Sequence, residues 1–179
     1  MAHRGEPEVR PLRQADIEAV TAIYAFYVRS SAATFDTVPP DTLQMERRWQ
    51  EVLEAGCPYL VATRDGRVQG YAYARPYNAR PAYRWTVEDS VYVAPSAQGR
   101  GLGRALLSGV IAATEAAGFR QMVALIAPDA AEGSVALHRA LGFREAGRLQ
   151  ALGFKLGRWH DVLYMRRQLG IGDAAAPQD

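Results

Sequence analysis

A strand-like segment, a glycine-rich loop and an amphipathic helix follow one another directly within residues 91–104. The alternating segment runs into Pro95, and the loop then carries three glycines within five positions, at Gly99, Gly101 and Gly103. Glycine lets the backbone take positive φ and approach a ligand closely, and a helix N-terminus attracts phosphate groups. The segment therefore predicts a phosphate-binding loop, and an ordinary glycine-rich turn is the alternative interpretation.

The spacing of these glycines excludes the two commoner phosphate-binding loops. A dinucleotide fingerprint needs a third glycine where this chain has Arg104, and a Walker loop needs a lysine that is absent near the loop. The pattern that fits is Q-x-x-G-x-G, formed by Gln98, Gly101 and Gly103. Arg100 and Arg104 add cations that can pair with the same phosphates.

The composition predicts a single soluble domain. The chain has 179 residues, 49% of them hydrophobic, and its net charge of +2 is too small to predict a nucleic-acid or membrane partner. The single cysteine, Cys57, excludes an internal disulfide, and three scattered histidines give no metal site. We therefore predict a cytoplasmic protein without a metal, with one domain over residues 9–169 and disordered tails at 1–8 and 170–179.

The order of periodic segments predicts two helices, three strands, then a helix, a strand, a helix and two final strands. This order gives an α+β (mixed α/β) domain whose mixed sheet has helices on both faces. Asp16 is predicted to cap the first helix, and Asp65-Gly66 to form a hairpin turn. The second helix is predicted to begin near Asp41 or Thr42. Its predicted buried positions are Leu43, Trp49, Val52 and Leu53.

Glu88 is the first candidate for chemistry. It lies in a strand-like run where a period of two places it on one face with Ser90 and Tyr92, and places Asp89 on the other. Acidic residues have a low β-propensity, so two adjacent acids in a strand just before a ligand loop suggest that they have a specific role. Glu88 is either a general base that takes a proton from an amine, or a carboxylate paired with an arginine at a sheet edge.

His138 is the second candidate, because it lies on the helix after the next strand, one turn beyond Ser134. In a β-α-β-α arrangement, the strand ends and the helix N-termini converge on one side of the sheet. This arrangement brings His138 toward the ligand of the loop. An imidazole there can protonate a leaving thiolate or bind the acceptor. A half-buried packing histidine is the alternative.

Arginines and tyrosines alternate in an irregular segment after the second strand. The residues concerned are Arg75, Arg80, Tyr83 and Arg84. Guanidinium groups among tyrosines suit a small site for a carboxylate or another oxyanion, and a solvated surface loop is the alternative.

The loop pattern resembles the acyl-CoA pyrophosphate loop of the GCN5-related N-acetyltransferase (GNAT) superfamily. Longer segments resemble its phosphinothricin / methionine sulfoximine acetyltransferase branch. They are Gly-Tyr-Ala-Tyr-Ala-Arg-Pro ending at Pro76, Arg-x-Ala-Tyr ending at Tyr83, residues 85–93, 134–143 and 153–161, and Ala33-Thr34-Phe35. Because the resemblance covers residues 9–169, it is far more specific than one loop.

The resemblance implies a GNAT fold, a homodimer, and transfer of the acetyl group of acetyl-CoA to the α-amino group of a small L-amino acid or analogue. It implies that Glu88 is the catalytic carboxylate and His138 a second catalytic or proton-donating residue. The implied cofactor residues are Val91, Tyr92, Val93, Gln98, Gly99, Arg100, Gly101, Leu102, Gly103 and Arg104. The implied acceptor residues are Phe35, Arg75, Arg80 and Tyr83. Ala131 replaces an asparagine that contacts CoA in the family.

Two other functions remain open from the sequence. An enzyme of the same class can act on a polyamine, an aminoglycoside or a protein N-terminus, although an arginine-rich acceptor segment disfavours polycations. A non-catalytic acyl-CoA-binding domain is the third hypothesis, and the presence of both Glu88 and His138 argues against it.

Overall fold

Seven strands form one sheet in the computed structural model, which describes residues 7–177. The strands are β1 (Glu8–Pro11), β2 (Tyr59–Arg64), β3 (Arg67–Pro76), β4 (Thr86–Val93), β5 (Gln121–Ile126), β6 (Arg144–Lys155) and β7 (Arg158–Gln168). The α-helices are α1 (Ile17–Ser30), α2 (Thr42–Glu54), α3 (Leu102–Ala116) and α4 (Glu132–Ala140). The strand order is β1-β2-β3-β4-β5-β7-β6, with β4 and β5 parallel, which confirms the predicted α+β class.

Helices cover both faces of this sheet, as the sequence predicts. On one face, the ring of Tyr92 in β4 packs against the rings of Tyr24 and Tyr27 in α1. On the other face, Asp89 of β4 contacts His138 of α4. Apolar side chains of helices and strands fill the core between these layers. Fully or almost fully buried examples are Val20, Val61, Val87, Leu106, Met122 and Met165.

Two local predictions are confirmed by the backbone. Asp65 and Gly66 join β2 to β3 with φ values of 50° and 71°, the positive angles of a type I′ hairpin turn. α2 begins at Thr42, and the side chain of Asp41 caps it by accepting a hydrogen bond from the backbone N–H of Gln44 at 2.7 Å.

Asp16 does not cap α1 as predicted, because its carboxylate has other partners. Arg10 of β1 donates hydrogen bonds to both carboxylate oxygens, at 2.7 and 2.9 Å, and the backbone N–H of Arg13 donates a third at 2.8 Å. The sequence analysis did not predict β1, which pairs with β2 at the edge of the sheet. The Arg10–Asp16 pair therefore ties this strand to the first helix.

The predicted buried face of α2 is wrong at two positions. Leu43 and Leu53 are 59% and 49% exposed. The side of α2 that meets the core carries Met45 and Val52, which are buried and seven residues apart, and the partly buried Trp49, which packs against the core. Two turns of helix bring positions seven apart onto one face, and both leucines lie off that stripe.

Residues 170–177 follow β7 without forming a helix or a strand. Turns occupy residues 170–173, where the backbone N–H of Gly172 donates to the carbonyl oxygen of Leu169 at 2.9 Å. The disorder predicted for residues 1–6 and 178–179 lies outside the described residues, and the domain boundaries stay a prediction. No helix within residues 7–177 is both long enough and apolar enough to span a bilayer.

The parallel ladder between β4 and β5 is short. It pairs three residues of each strand and ends with Glu88 opposite Val123. Both strands continue beyond this pair, so they part from each other inside the sheet. Backbone N–H and C=O groups along the gap have no strand partner across it. We call the opening between residues 89–93 and residues 124–126 the wedge.

Replacing Asp16 by asparagine is expected to lower the free energy of unfolding by about 2 kcal/mol at neutral pH, because the Arg10 guanidinium loses its anionic partner. The hydrogen bond from Arg10 holds the pKa of Asp16 below its ordinary value, against the opposing effect of burial. The pair therefore stabilises the fold fully at pH values above the pKa that Asp16 has in the unfolded chain. This contribution is lost as the pH falls through the lower pKa that Asp16 has in the folded protein.

Urea unfolding at a series of pH values, from about 7 to about 3, measures this difference. Glu18→Gln is the control, because Glu18 is an exposed carboxylate in the first turn of α1 and its loss should change stability by less than about 0.5 kcal/mol. A destabilisation by Asp16→Asn that is the same at both ends of the pH range would contradict the prediction.

Candidate active site

The glycine-rich loop has the backbone conformation that its sequence predicts. Gly99 and Gly101 have φ values of 70° and 80°, in the left-handed region that favours glycine. Gly101 directly precedes α3, and no side chain caps this helix. The backbone N–H groups of its first turn therefore lack helical acceptors and can bind an anion.

Gly103 and Gln98 hold the loop against its neighbours. A Cβ at Gly103 would lie 3.3 Å from Cδ2 of Leu137, so glycine lets α3 approach α4 closely. Nε2 of Gln98 donates a hydrogen bond to the hydroxyl of Tyr27 at 2.9 Å, and that hydroxyl donates to the carbonyl oxygen of Val93 at 2.5 Å. The Gln98 side chain thus connects the loop, through α1, to the end of β4.

A cleft of about 1270 Å³ follows the wedge and reaches the loop. This volume exceeds that of most small-molecule sites and suits a long, extended ligand. The predicted cofactor residues on its walls are Val91, Tyr92, Val93, Gln98, Gly99, Gly101, Leu102 and Gly103. The other predicted residues on its walls are Phe35, Arg75, Glu88 and His138. Four predicted residues are exposed outside this lining, namely Arg80, Tyr83, Arg100 and Arg104.

Glu88 lies where the wedge begins, directly opposite Arg75 of β3. Nη2 of Arg75 donates a hydrogen bond to Oε1 of Glu88 at 3.0 Å, and the two side chains are 53% and 16% exposed. Burial lowers the pKa of the Arg75 guanidinium, but the charge and hydrogen bond of Glu88, together with nearby tyrosines, outweigh it and raise this pKa above its ordinary value. The structure therefore shows the arginine-paired carboxylate, at a ligand cleft inside the sheet and not at its edge, and the role of general base stays a prediction.

Asp89 and His138 form a second pair on the opposite face of β4. Oδ2 of Asp89 lies 2.9 Å from Nε2 of His138, and their side chains are 1% and 3% exposed. Nδ1 of His138 lies 2.7 Å from the backbone carbonyl oxygen of Ser134. Both ring nitrogens of the predicted second catalytic residue are thus engaged within the protein.

Six tyrosines form one wall of the cleft, which the sequence analysis did not predict. They are Tyr24, Tyr27, Tyr59, Tyr71, Tyr73 and Tyr92. Neighbouring rings in this tyrosine wall have centroids between 4.8 and 6.4 Å apart. Burial raises the pKa of Tyr24 to about 12, and it raises the pKa values of Tyr59, Tyr71 and Tyr92 as well. These buried hydroxyls are therefore uncharged at neutral pH.

Phe35 is held at the cleft by the β6–β7 hairpin. Its ring lies over Gly153, where a Cβ would overlap it, and 6.2 Å from the ring of His160. Nζ of the buried Lys155 donates a hydrogen bond to the carbonyl oxygen of Thr34 at 2.6 Å. Sequence reasoning missed this anchor because its partners lie 121 residues apart. The one available signal was that the chain has a single lysine.

Arg80 and Tyr83 lie on the loop that follows β3. The ring of Tyr83 packs edge-on against Tyr77 at 5.6 Å, and the backbone N–H of Arg80 donates to Oδ1 of Asn78 at 3.0 Å. Their contact with an acceptor stays a prediction. Within residues 7–177, no three histidine, cysteine or acidic side chains gather as metal ligands do.

The wedge in the sheet lies beside a helix N-terminus that can bind an anion. This geometry is that of a protein that binds an extended, phosphate-bearing ligand. Residues 9–164 match the family described as Acetyltransferase (GNAT) domain. The chain therefore belongs to the GNAT acetyltransferases, as its loop motif predicts. It is an acetyl-CoA-dependent N-acetyltransferase.

Individual relatives agree with this assignment. The chain is 50% identical over 170 residues to a phosphinothricin N-acetyltransferase of Alcaligenes faecalis, covering 95% of this chain and 86% of that protein. It is 39% identical to an L-methionine sulfoximine/L-methionine sulfone acetyltransferase of Salmonella typhimurium, covering 94% and 97% of the two chains. The crystal structure of a phosphinothricin acetyltransferase from Sinorhizobium meliloti in complex with AcCoA matches with a TM-score of 0.94, at 44% identity, covering 97% of this chain and 94% of that one.

Replacing Gly101 by alanine is expected to weaken acetyl-CoA binding about tenfold. A residue with a Cβ pays roughly 1–2 kcal/mol for a left-handed backbone, so the loop shifts and misdirects the N–H groups at the start of α3. Isothermal titration with acetyl-CoA measures the change in dissociation constant.

Gly66→Ala is the matched control for this variant. Gly66 also has a left-handed φ, and nothing lies within 4 Å of a Cβ built on either glycine. Because Gly66 lies in the β2–β3 turn, its variant should lose stability and keep its affinity for acetyl-CoA. Equal losses of affinity in the two variants would show a global effect and contradict the role of the loop.

Proposed function

We propose that the acetyl acceptor is the α-amino group of a small L-amino acid or of an analogue of the phosphinothricin or methionine sulfoximine type. The Arg75–Glu88 pair carries this proposal, because it sets a cation beside a carboxylate where the wedge begins. An amino acid presents the complementary groups, a carboxylate and an ammonium. The names of relatives at 50% and 39% identity support the same acceptor class.

The cleft fits acetyl-CoA as the acyl donor. Residues 91–93 of β4 pair with β3 but have no strand partner on the side of the wedge, where an extended chain can pair with them. Residues 98–104 offer N–H groups to a pyrophosphate. Ala131 lines the cleft where the family resemblance implies an asparagine, so one side-chain contact is missing. When bound, acetyl-CoA supplies the thioester carbonyl that an amine attacks.

Glu88 is the proposed general base. An amino acid binds as its ammonium form, which must lose a proton before the nitrogen can attack. A carboxylate that reaches Arg75 competes with Glu88 for the guanidinium, and the released Glu88 oxygen can then take this proton. Recognition of the acceptor and activation of its amine therefore depend on one ion pair.

The electrostatics of the cleft disfavour a polycationic acceptor such as a polyamine or an aminoglycoside. Of the four carboxylates on its walls, only Glu51 has no arginine, lysine or histidine partner among the ion pairs within residues 7–177. Asp36, Glu88 and Asp89 are paired with Arg48, Arg75 and His138. Polycations bind best where several carboxylates lack such partners.

Replacing Glu88 by glutamine is expected to lower kcat about a hundredfold or more, with acetyl-CoA affinity retained, because the amide cannot take the proton. Release of CoA thiol from acetyl-CoA measures turnover with single acceptors. The panel holds L-phosphinothricin, L-methionine sulfoximine, L-methionine sulfone, spermidine, an aminoglycoside and a peptide with a free N-terminus. We expect turnover with the amino-acid analogues alone.

Glu145→Gln is the control for the loss of a paired carboxylate. Glu145 accepts a hydrogen bond from Arg139 at 2.7 Å but lies outside the cleft, so its variant should turn over like the wild type. Turnover confined to spermidine, the aminoglycoside or the peptide would overturn the proposed acceptor class. No turnover with any acceptor of the panel, while acetyl-CoA still binds, would also overturn it and place the acceptor outside the panel.

We also propose that the protein forms a homodimer through the β6–β7 hairpin. β6 is an edge strand, and most of its residues are exposed. The exposed apolar side chains of this hairpin are Leu149, Leu152, Phe154, Leu156 and Trp159. A second copy presents the same edge, so a two-fold axis would pair the two strands and cover both apolar sets. A cytoplasmic location, and the absence of nucleic-acid or membrane partners, stay predictions.

Replacing both Phe154 and Trp159 by aspartate is expected to convert the dimer into a monomer, because two charges would then lie in the apolar contact. Light scattering coupled to gel filtration measures the molar mass. Leu43→Asp is the control, since Leu43 is 59% exposed on α2 and Phe154 and Trp159 are 58% and 62% exposed on the hairpin. A wild type with the mass of one chain would contradict the proposal.

A further inference from the structure

His138 is buried between two atoms that accept hydrogen bonds. Nδ1 lies 2.7 Å from the carbonyl oxygen of Ser134, which only accepts, so Nδ1 carries a hydrogen. Nε2 lies 2.9 Å from Oδ2 of Asp89, so a further proton is shared between the imidazole and the carboxylate.

The surroundings of His138 favour the imidazolium paired with a carboxylate. Burial opposes the charged ring, but the hydrogen bond and the charge of Asp89 raise the pKa of His138 above its ordinary value. The hydroxyl of Ser134, 3.3 Å from Nδ1, and the ring of Phe143, at 4.9 Å, also contact the imidazole. Neither of these groups brings a charge to the pair.

The pair lies at the narrow end of the wedge. Asp89 is the first residue of β4 beyond the last ladder pair, Glu88 with Val123. At this residue β4 loses its hydrogen bonds to β5, and the contact between Asp89 and His138 links the strand to α4 instead. Glu88 is the adjacent residue of β4, so a displacement of the strand at Asp89 would also move the carboxylate of Glu88.

We propose that Asp89 and His138 form a charged clamp that fixes β4 where the wedge begins, and that His138 is a positioning residue and does not donate a proton. This inference rests on the proposed function, in which Glu88 is the base. A proton donor needs a hydrogen directed at the reacting group. Both ring hydrogens of His138 are instead directed at Ser134 and Asp89.

Nitrogen-15 NMR of the imidazole rings tests the charge of the clamp without any acceptor. The chain has three histidines, and the equally buried His160 is the internal reference, with Nε2 donating to the carbonyl oxygen of Lys155 at 3.0 Å. At about pH 7.5 we expect hydrogens on both nitrogens of His138 in the wild type, and on one nitrogen in Asp89→Asn. A wild-type His138 with one bare nitrogen would overturn the charged clamp.

Kinetics of two substitutions at Asp89 test the positioning role. Asn at this site keeps a hydrogen-bond partner for Nε2, whereas Ala removes it. We expect Asp89→Asn to retain kcat within about threefold and Asp89→Ala to lose about tenfold or more, with the KM for acetyl-CoA changing less than kcat. Equal losses of kcat in the two variants would overturn the positioning role. Activity would then depend on the proton shared by Asp89 and His138, and not on the hydrogen bond that links β4 to α4.

The failure of the clamp and the failure of the proposed function give different results. A wrong acceptor class abolishes turnover of the amino-acid analogues in the wild type, and the kinetic comparison is then made with whichever acceptor of the panel is active. The imidazole spectrum needs no acceptor, so it decides the charged clamp in either case. Thermal unfolding of both Asp89 variants shows whether a lost activity reflects a lost fold.

Discussion

The end of the parallel ladder between β4 and β5 is the constraint on which the site depends. A strand inside a sheet ordinarily has hydrogen-bonded partners on both sides, and β4 gives up one of them after Glu88. Side chains hold the freed part of the strand instead. The Tyr27 hydroxyl binds the carbonyl oxygen of Val93 near the loop, and Asp89 binds His138 at the other end. The gap between these two attachments opens into the cleft in which we propose that the acyl donor binds.

Glu88 and Asp89 show how one strand can carry two adjacent acids. Successive side chains of a strand point to opposite faces, so the two carboxylates meet different surroundings. Glu88 meets the half-exposed Arg75, which a ligand can take from it, and Asp89 meets the buried His138, which it keeps. An exchangeable ion pair and a fixed one therefore occupy neighbouring residues. The unfavourable β-propensity of the acids is offset by the partner that each one finds.

Features that depend on neighbouring residues could be predicted from the sequence. The Asp65-Gly66 turn, the start of α2 and the positive φ angles of the glycine loop all follow from local chemistry, and the loop motif predicted the family. Contacts between distant segments could not be predicted in the same way. β1 has four residues and is specified by its pairing with β2, and Asp16 binds Arg10 instead of its own helix.

The same difference between local features and contacts of distant segments applies to the candidate site. The period of two separated Glu88 from Asp89 correctly, because it is a local property of β4. It could not show that both nitrogens of His138 are engaged, since Asp89 lies 49 residues away. The tyrosine wall is assembled from α1, β2, β3 and β4, so only the alternating tyrosines of β3 gave a local sign of it.

The burial of Lys155 affects whether acetyl-CoA can acetylate the enzyme itself. Acetyl-CoA is an acylating agent, and the ε-amine of lysine is the side chain that is commonly acetylated. This chain has one lysine, which is buried, and its ammonium group binds the backbone of Thr34. Burial lowers the pKa of Lys155, and the same burial leaves only 5% of the residue exposed to a reagent from solution. The basic residues of the surface are arginines, so the enzyme can work in high concentrations of its donor without exposing a lysine to self-acetylation.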